Sequence, residues 1–372
     1  MIPLLFDADE QQFVTQGFGG LGQAVSMEVP WALNGKYELV MTYPVTGYRF
    51  ADLAAGRLIL ASVGPDEPDQ LFRIYRIDAP LNGLCTVYAR HVAYDLMGHT
   101  LRPFEAVGAA EAAQAITSGA VVQLHQFAIA AEVSSSAAVK SPTPRSVWSM
   151  LGGQRGSMLD VFGGEWNFNR FVLTLRERLG ADLGVTVRYG VNLRTLEQDT
   201  NVANTWTAVH PFWQSADGLT VVTLPEDTVS AGEFDRVHVL VADFSAEWTE
   251  PPTEEQLRSR TRRYISDNNV GVPDVGLDVS FVPLDQTEEY KGRNFLQKIH
   301  KGDTVRVEFP TAYNRDGSPR AMATATARAV ETVWLPLEDK YKSIRLGKRR
   351  ADFASTVAKI EKNLQWVISK TR

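Results

Sequence analysis

The run from Ser146 to Leu193, SVWSMLGGQRGSMLDVFGGEWNFNRFVLTLRERLGADLGVTVRYGVNL, leaves little freedom in what the chain can build. A short helix comes first, and Gly163-Gly164-Glu165 then makes a turn that ends on a carboxylate. An alternating segment follows, then a Gly180-Ala181-Asp182 turn and a second strand running into Arg188-Tyr189-Gly190-Val191-Asn192-Leu193. Phe171, Leu173 and Leu175 fall on one face at period 2, which predicts a half-buried strand over Trp166–Glu177. Val185–Tyr189 reads as the next strand. Upstream, Thr143 is placed to cap the short helix, with Pro144 at its first position and Gly152 just past its end.

The same period organises the N-terminal part. Tyr37, Leu39, Met41 and Tyr43 share one strand face, with Glu38 and Thr42 on the other. Phe72–Ile77 and Leu84–Val92 read as strands joined by the turn Leu81-Asn82-Gly83. From Glu105 the pattern changes. Ala109–Thr117 is helical by propensity, Phe127–Val133 is a strand, and Ser134–Pro144 is a loop. Residues 195–250 return to strands, at Asn204–Trp213, Leu219–Leu224 and Arg236–Ala242. Pro251-Pro252 breaks the chain, and Thr253 with Gln256 forms a capping box for the charged helix Glu254–Ile265. Beyond Gly276 come a strand at Asp278–Val282, a helix at Thr287–Ile299, the turn Lys301-Gly302-Asp303 and the strand Thr304–Phe309. A hairpin turn at Asn314-Arg315-Asp316-Gly317 leads to the long strand Ala321–Leu335, and Tyr341–Gly347 closes the unit. In the tail, Phe353, Val357, Ile360, Leu364 and Val367 recur at alternating spacings of 4 and 3, the a/d seam of a helix about 27 Å long. Such a helix is marginal alone and must pack on its own chain or on copies of itself; the second option makes those five residues oligomer contacts.

At 372 residues the chain calls for two to four domains. The expected class is α+β, mainly β. The apolar and charged fractions, 44% and 22%, are those of a soluble globular protein. No apolar run reaches the length of a membrane span, and Met1–Gln12 lacks the features of a signal peptide. Cys85 is the single cysteine, which excludes intrachain disulfides and fits assembly in a reducing cytoplasm. The net charge of −6 argues against a surface built to grip nucleic acid. It is compatible with a channel whose wall repels a passing phosphate backbone, and equally with acidity that serves only solubility.

Candidate chemistry is thin. Gly17, Gly19 and Gly22 match G-x-G-x-x-G, but QAVSMEVPW follows instead of a helix, so a flexible turn is the better reading. The six histidines (His91, His99, His125, His210, His238 and His300) show no metal-binding spacing. Cys85 and His91 lie on the same side of one strand but about 20 Å apart, too far for a nucleophile and its base. Glu165 could serve a glycosidase only with a second carboxylate opposite it; pairing with an arginine or a backbone amide is the plainer expectation. The run Lys340, Lys342, Arg345, Lys348, Arg349 and Arg350 reads as a subunit contact or a solvated face. Trp206, Trp213 and Trp248 could stack sugars or fill a core. No catalytic, cofactor or metal residue is assigned, and the chain is read as no enzyme.

The order of several segments resembles the N-terminal region of phage minor structural proteins of the prophage-endopeptidase-tail family, the tail-associated lysin or baseplate-hub group. The resemblance spans roughly 30–350. It rests on Tyr37-Glu38-Leu39, Phe72-Arg73-Ile74, Arg90–Leu96, Phe162–Glu165, Arg188–Leu193, Glu289-Tyr290, Lys301–Val305 and Tyr341–Gly347. It implies a trimeric hub whose subunits each carry two β-barrels related to the tail tube. On that plan 1–100 plus 195–265 form the first barrel, 105–192 an α/β insertion, 275–347 the second barrel and 353–372 a C-terminal helix. Three two-barrel chains make a pseudo-hexamer that narrows to threefold symmetry. The implied partners are the distal tail or tail tube protein, the tape measure protein, and a downstream spike, fibre or receptor-binding protein. The implied location is the virion tail tip, after assembly in the bacterial host cytoplasm. The implied function is to close the tail tube and pass DNA. A peptidoglycan hydrolase or a receptor- or glycan-binding tail module is the alternative.

Overall fold

In the computed structural model the described residues are 2–347, apart from 79–81, 189–192, 202–205, 216, 233, 235, 246, 268–269, 272–273, 282–298 and 316–317. The first strands are β1 (Leu4–Phe6), β2 (Ser26–Ala32), β3 (Glu38–Pro44), β4 (Leu58–Ala61), β5 (Gln70–Asp78) and β6 (Leu84–His91). Alternation decides their faces. Met27, Val29 and Trp31 of β2 are buried, as are Leu39, Met41 and Tyr43 of β3 and Cys85, Val87, Ala89 and His91 of β6. Next come α1 (Ala109–Gly119), β7 (Ala128–Ala131), α2 (Val147–Leu151), α3 (Met158–Phe162), β8 (Glu165–Asn169), β9 (Val172–Arg176), β10 (Asp182–Arg188) and β11 (Leu193–Asn201).

Residues 198–276 form a compact unit of their own. It holds β12 (Ala208–Gln214), β13 (Val221–Thr223), β14 (Val229–Ser230), β15 (Val239–Asp243) and α4 (Glu254–Asp267). The chain then returns through β16 (Asp274–Phe281), β17 (Thr304–Tyr313), β18 (Pro319–Leu335) and β19 (Lys340–Gly347).

The larger unit is built on one sheet of 13 strands, in the order β11-β16-β19-β18-β2-β3-β6-β5-β4-β1, with a short Gly19–Gly20 strand beyond β1. β17 pairs with β18 and, in parallel, with β10. The 17 residues of β18 make it the common rail. It bonds β17 and β19, and it also bonds β2 from Glu331↔Ala32 to Trp334↔Val29. Among the described residues no closed barrel is found, and the sheet runs as an open path.

This grouping differs from the one drawn on the sequence. The sequence grouped 195–265 with 1–100; among the described residues Val209, Leu224, Ala242, Phe244 and Leu257 pack in a cluster of their own. The block 105–192, expected as an insertion, contributes to the core of the N-terminal strands. Trp148, Trp166, Leu173 and Leu175 belong to the same cluster as Trp31, Tyr37 and Trp334. Strand β10 leaves that block, because Val185 and Val187 are buried with Val305, Val307, Ile344 and Leu346.

Two local expectations are corrected. Ser146 caps α2, its Oγ accepting Ser149 N–H at 3.2 Å. Arg145-Ser146 is held extended against Thr100-Leu101, which postpones the helix beyond Thr143 and Pro144, although Gly152 does end it. The single strand over Trp166–Glu177 is a hairpin, β8–β9, turning at Arg170 with φ 52°. The helix expected at 287–299 lies outside the described residues except for Ile299. The tail residues Phe353, Val357, Ile360, Leu364 and Val367 lie wholly outside them.

Candidate functional site

Three turns singled out in the sequence meet at one place. Gly163 and Gly164 have φ of 69° and 85°, a conformation that side-chain-bearing residues rarely adopt. They deliver Glu165 inward, where its side chain is 5% exposed. Arg328 of β18 meets it with both prongs, Nη1 to Oε1 at 2.6 Å and Nη2 to Oε2 at 2.9 Å. Leu179 N–H donates to Oε2 at 2.7 Å. Arg328 also donates to the Leu179 carbonyl at 2.9 Å and to the Gly302 carbonyl at 3.1 Å. The planar fork therefore has a partner at each nitrogen, although the guanidinium is only half-buried.

The Gly180 and Gly302 turns touch backbone to backbone. A Cβ on Gly180 would lie 2.2 Å from the Gly302 carbonyl carbon, so neither position has room for a side chain. Asp303 pins the junction. Its Oδ1 accepts Ala181 N–H at 2.7 Å, and its Oδ2 accepts His300 N–H at 2.8 Å and faces His300 Nδ1 at 3.2 Å. Burial pushes the Asp303 carboxyl up, but these hydrogen bonds outweigh it and hold it below its ordinary value. The hydrogen bond to Asp303 raises His300 above its own, against the opposing effect of partial burial.

Beside this junction, Lys301 Nζ donates to Glu67 Oε2 at 2.7 Å and to Tyr37 OH at 2.9 Å, and lies over the Trp31 and Tyr37 rings. Burial lowers the Lys301 pKa and Glu67 pulls it back up. His91 stacks on Tyr37, ring centroids 4.7 Å apart. Its Nδ1 accepts Ala93 N–H and its Nε2 faces Gln70 Oε1 at 3.1 Å, so the neutral ring is satisfied at both nitrogens. Burial, with Lys301 nearby, depresses His91 to about 3. Gln70 Oε1 also accepts Arg170 N–H at 2.6 Å, which holds the β8–β9 turn. A cavity of about 310 Å³ opens here between Trp31, Glu67, Arg176, His300 and Lys301.

This seam ties polypeptide together. Both Glu165 oxygens are committed, so it presents no poised general acid. Cys85 is buried, and burial raises its thiol pKa. Among the described residues no group of three His, Cys, Asp or Glu could hold a metal, and no helix is long and apolar enough to cross a membrane. Gly17 and Gly19 lead into strands and no helix. Of the basic run, Lys340 pairs with Glu338 and Lys342 with Glu28, while Lys348, Arg349 and Arg350 lie outside the described residues. Trp213 is buried and donates to the Trp248 carbonyl at 2.9 Å; Trp206 is the exposed one, at 44%. Sequence reasoning missed Arg328 and Glu67. A lone arginine inside Ala-Thr-Ala-Arg-Ala-Val was the available signal for Arg328; Glu67 sits in a loop with none.

No family model matches this sequence, and no curated protein matches it. Solved structures do match its fold. Prophage tail protein gp18 from Listeria monocytogenes EGD-e aligns over 98% of this chain and 100% of its own, at 15% identity and TM-score 0.57. A tail protein from Neisseria meningitidis MC58 aligns over 95% and 98%, at 11% identity and TM-score 0.58. The 43 kDa tail protein of prophage MuSo2 from Shewanella oneidensis aligns over 94% and 98%, at 11% identity and TM-score 0.56. The chain therefore has a mainly β fold shared with phage tail proteins along nearly its whole length.

Proposed function

We propose that this chain is a structural component of the tail tip of a tailed phage or phage-like particle, a baseplate hub. The observation that carries the reading is the fold shared end to end with three phage tail proteins. In this reading three copies form a ring that closes the tail tube. Each chain supplies two tube-like β parts, so the ring matches a hexameric tube or distal tail protein above. The tape measure protein ends at it, a spike, fibre or receptor-binding protein hangs below, and DNA leaves through the centre. The Lys301 contacts with Tyr37 and Glu67 support this role, since they tie the turn before β17 to the N-terminal region.

Electron microscopy of the purified protein, alone and mixed with its tail-tube or distal-tail neighbour, tests the reading. A threefold ring with a central channel that stacks on the neighbour's hexamer is the expected result. A compact monomer that ignores the neighbour overturns it. The seam Phe353, Val357, Ile360, Leu364 and Val367 is proposed as the threefold contact. Replacing Ile360 and Leu364 with Asp is expected to reduce trimer formation in sedimentation; trimers that persist unchanged place the contact elsewhere.

A further inference from the structure

Residues 198–276 hold thirteen Asp and Glu, five Arg and no Lys, so this unit alone is more acidic than the whole chain at −6. Its 4-stranded sheet has β12 inside, with β13 and β14 along one side and β15 along the other. β15 runs parallel to β12, in unbroken register from Ala208↔Val239 to Phe212↔Asp243. Its other edge has no partner strand among the described residues.

Monomeric proteins blunt such an edge with lysine, proline or a bulge. Val237-His238-Val239-Leu240-Val241-Ala242 has none of these. Leu240 and Ala242 turn inward to the cluster of Val209, Leu224 and Phe244. Val237, Val239 and Val241 turn outward and are 68%, 37% and 61% exposed. A row of exposed β-branched side chains on an open, regular edge has the form of a strand-addition site. The net negative charge of the unit favours a cationic partner over an anionic one.

We propose that β15 is a docking edge for an extended segment of another protein in which apolar residues alternate with Lys or Arg. The segment adds as a fifth strand. Its main chain pairs with the outer edge of β15 at Val239–Ala242, its apolar side chains cover Val239 and Val241, and its cations are drawn by the net negative charge of the unit. This edge is present in the chain whether or not the chain sits in a tail, so failure here leaves the hub reading standing, and the reverse.

The test titrates the full-length protein into a labelled ten-residue peptide of alternating valine and lysine, read by fluorescence anisotropy. The alternating valine–glutamate peptide is the counterpart. Binding of the lysine peptide is expected to weaken with added salt, to fall at least tenfold in Val241→Lys, and to fall less in the isosteric Val241→Thr. Val172→Lys, at a 45% exposed position of the larger unit, should leave binding unchanged. Amides of Val239 and Val241, which point away from β12, should gain hydrogen-exchange protection when the peptide is bound. No binding, binding that survives Val241→Lys, or equal binding of the glutamate peptide overturns the proposal. So does self-association of the free chain abolished by Val241→Lys, which would make a second copy the occupant.

Discussion

Arg328 and Arg258 are shielded from water almost equally, at 24% and 23% side-chain exposure, and each engages carboxylates within 3 Å. The carboxylates differ. Glu165 is 5% exposed, whereas Glu226 and Glu255, which hold Arg258, are 39% and 76% exposed. A carboxylate that keeps its water loses little when its arginine goes. Glu165 has Arg328 as its one ion-pair partner among the described residues. The two units therefore use the same ion pair for different ends, a lock between distant segments in one and a solvated brace between α4 and its sheet in the other.

The largest effect is expected at Arg328. Arg328→Met should cost about 3–5 kcal/mol, because it leaves Glu165 buried and uncompensated; urea unfolding monitored by tryptophan fluorescence measures it. Adding Glu165→Gln to that variant should recover a large part of the loss. A double variant no better than the single would mean that the two charges are not coupled.

Acid sharpens the contrast next. In the unfolded chain His91 titrates near 6.5, and in the fold near 3. The unfolded state thus binds more protons between these values, and His91 makes stability fall as pH drops from 6.5 toward 3, by up to about 1.4 kcal/mol per pH unit. His300 acts in the opposite sense. Its contribution is fully present below its unfolded value and is lost as pH rises through its raised folded one. His91→Gln should flatten the acid limb of a stability-versus-pH curve, and a limb of unchanged slope would show that another group carries it.

A smaller effect belongs to α4. Thr253 N–H donates to Gln256 Oε1 at 2.8 Å, and Thr253 Oγ1 accepts Gln256 N–H at 3.3 Å. Thr253→Ala should cost about 1 kcal/mol, confined to residues 198–276 in hydrogen exchange. Smallest of all is Arg258→Ala, expected to leave the unfolding midpoint unmoved; a clear shift would erase the distinction between the two arginines.

The strands were legible where one face is buried and the other wet. The alternation of Leu84–His91 reports a single boundary with solvent, and so does that of Tyr37–Tyr43. The capping box at Thr253 and Gln256 was legible because both partners sit three residues apart. The hairpin at Arg170 was hidden, because a non-glycine at positive φ is held there by Gln70, 100 residues away. Glu165 was expected to find an arginine or a backbone amide and has both. Which arginine could not be read, since Arg328 lies 163 residues off. The unit boundary at 198 was equally hidden, as strand alternation tells which side is buried but not what lies against it.

The pairing of β2 with β18 has a consequence for synthesis. Val29–Ala32 bonds Glu331–Trp334, so its partner emerges some 300 residues later. At ~5–20 residues per second that is a wait on the order of 15–60 s on the ribosome. Through that interval β2 can pair only with β3, and its other side stays available to any nascent neighbour. Slowing translation after β3 should therefore tax the yield of soluble protein more than slowing it within β12–β15, whose strands pair with one another over a short stretch of chain.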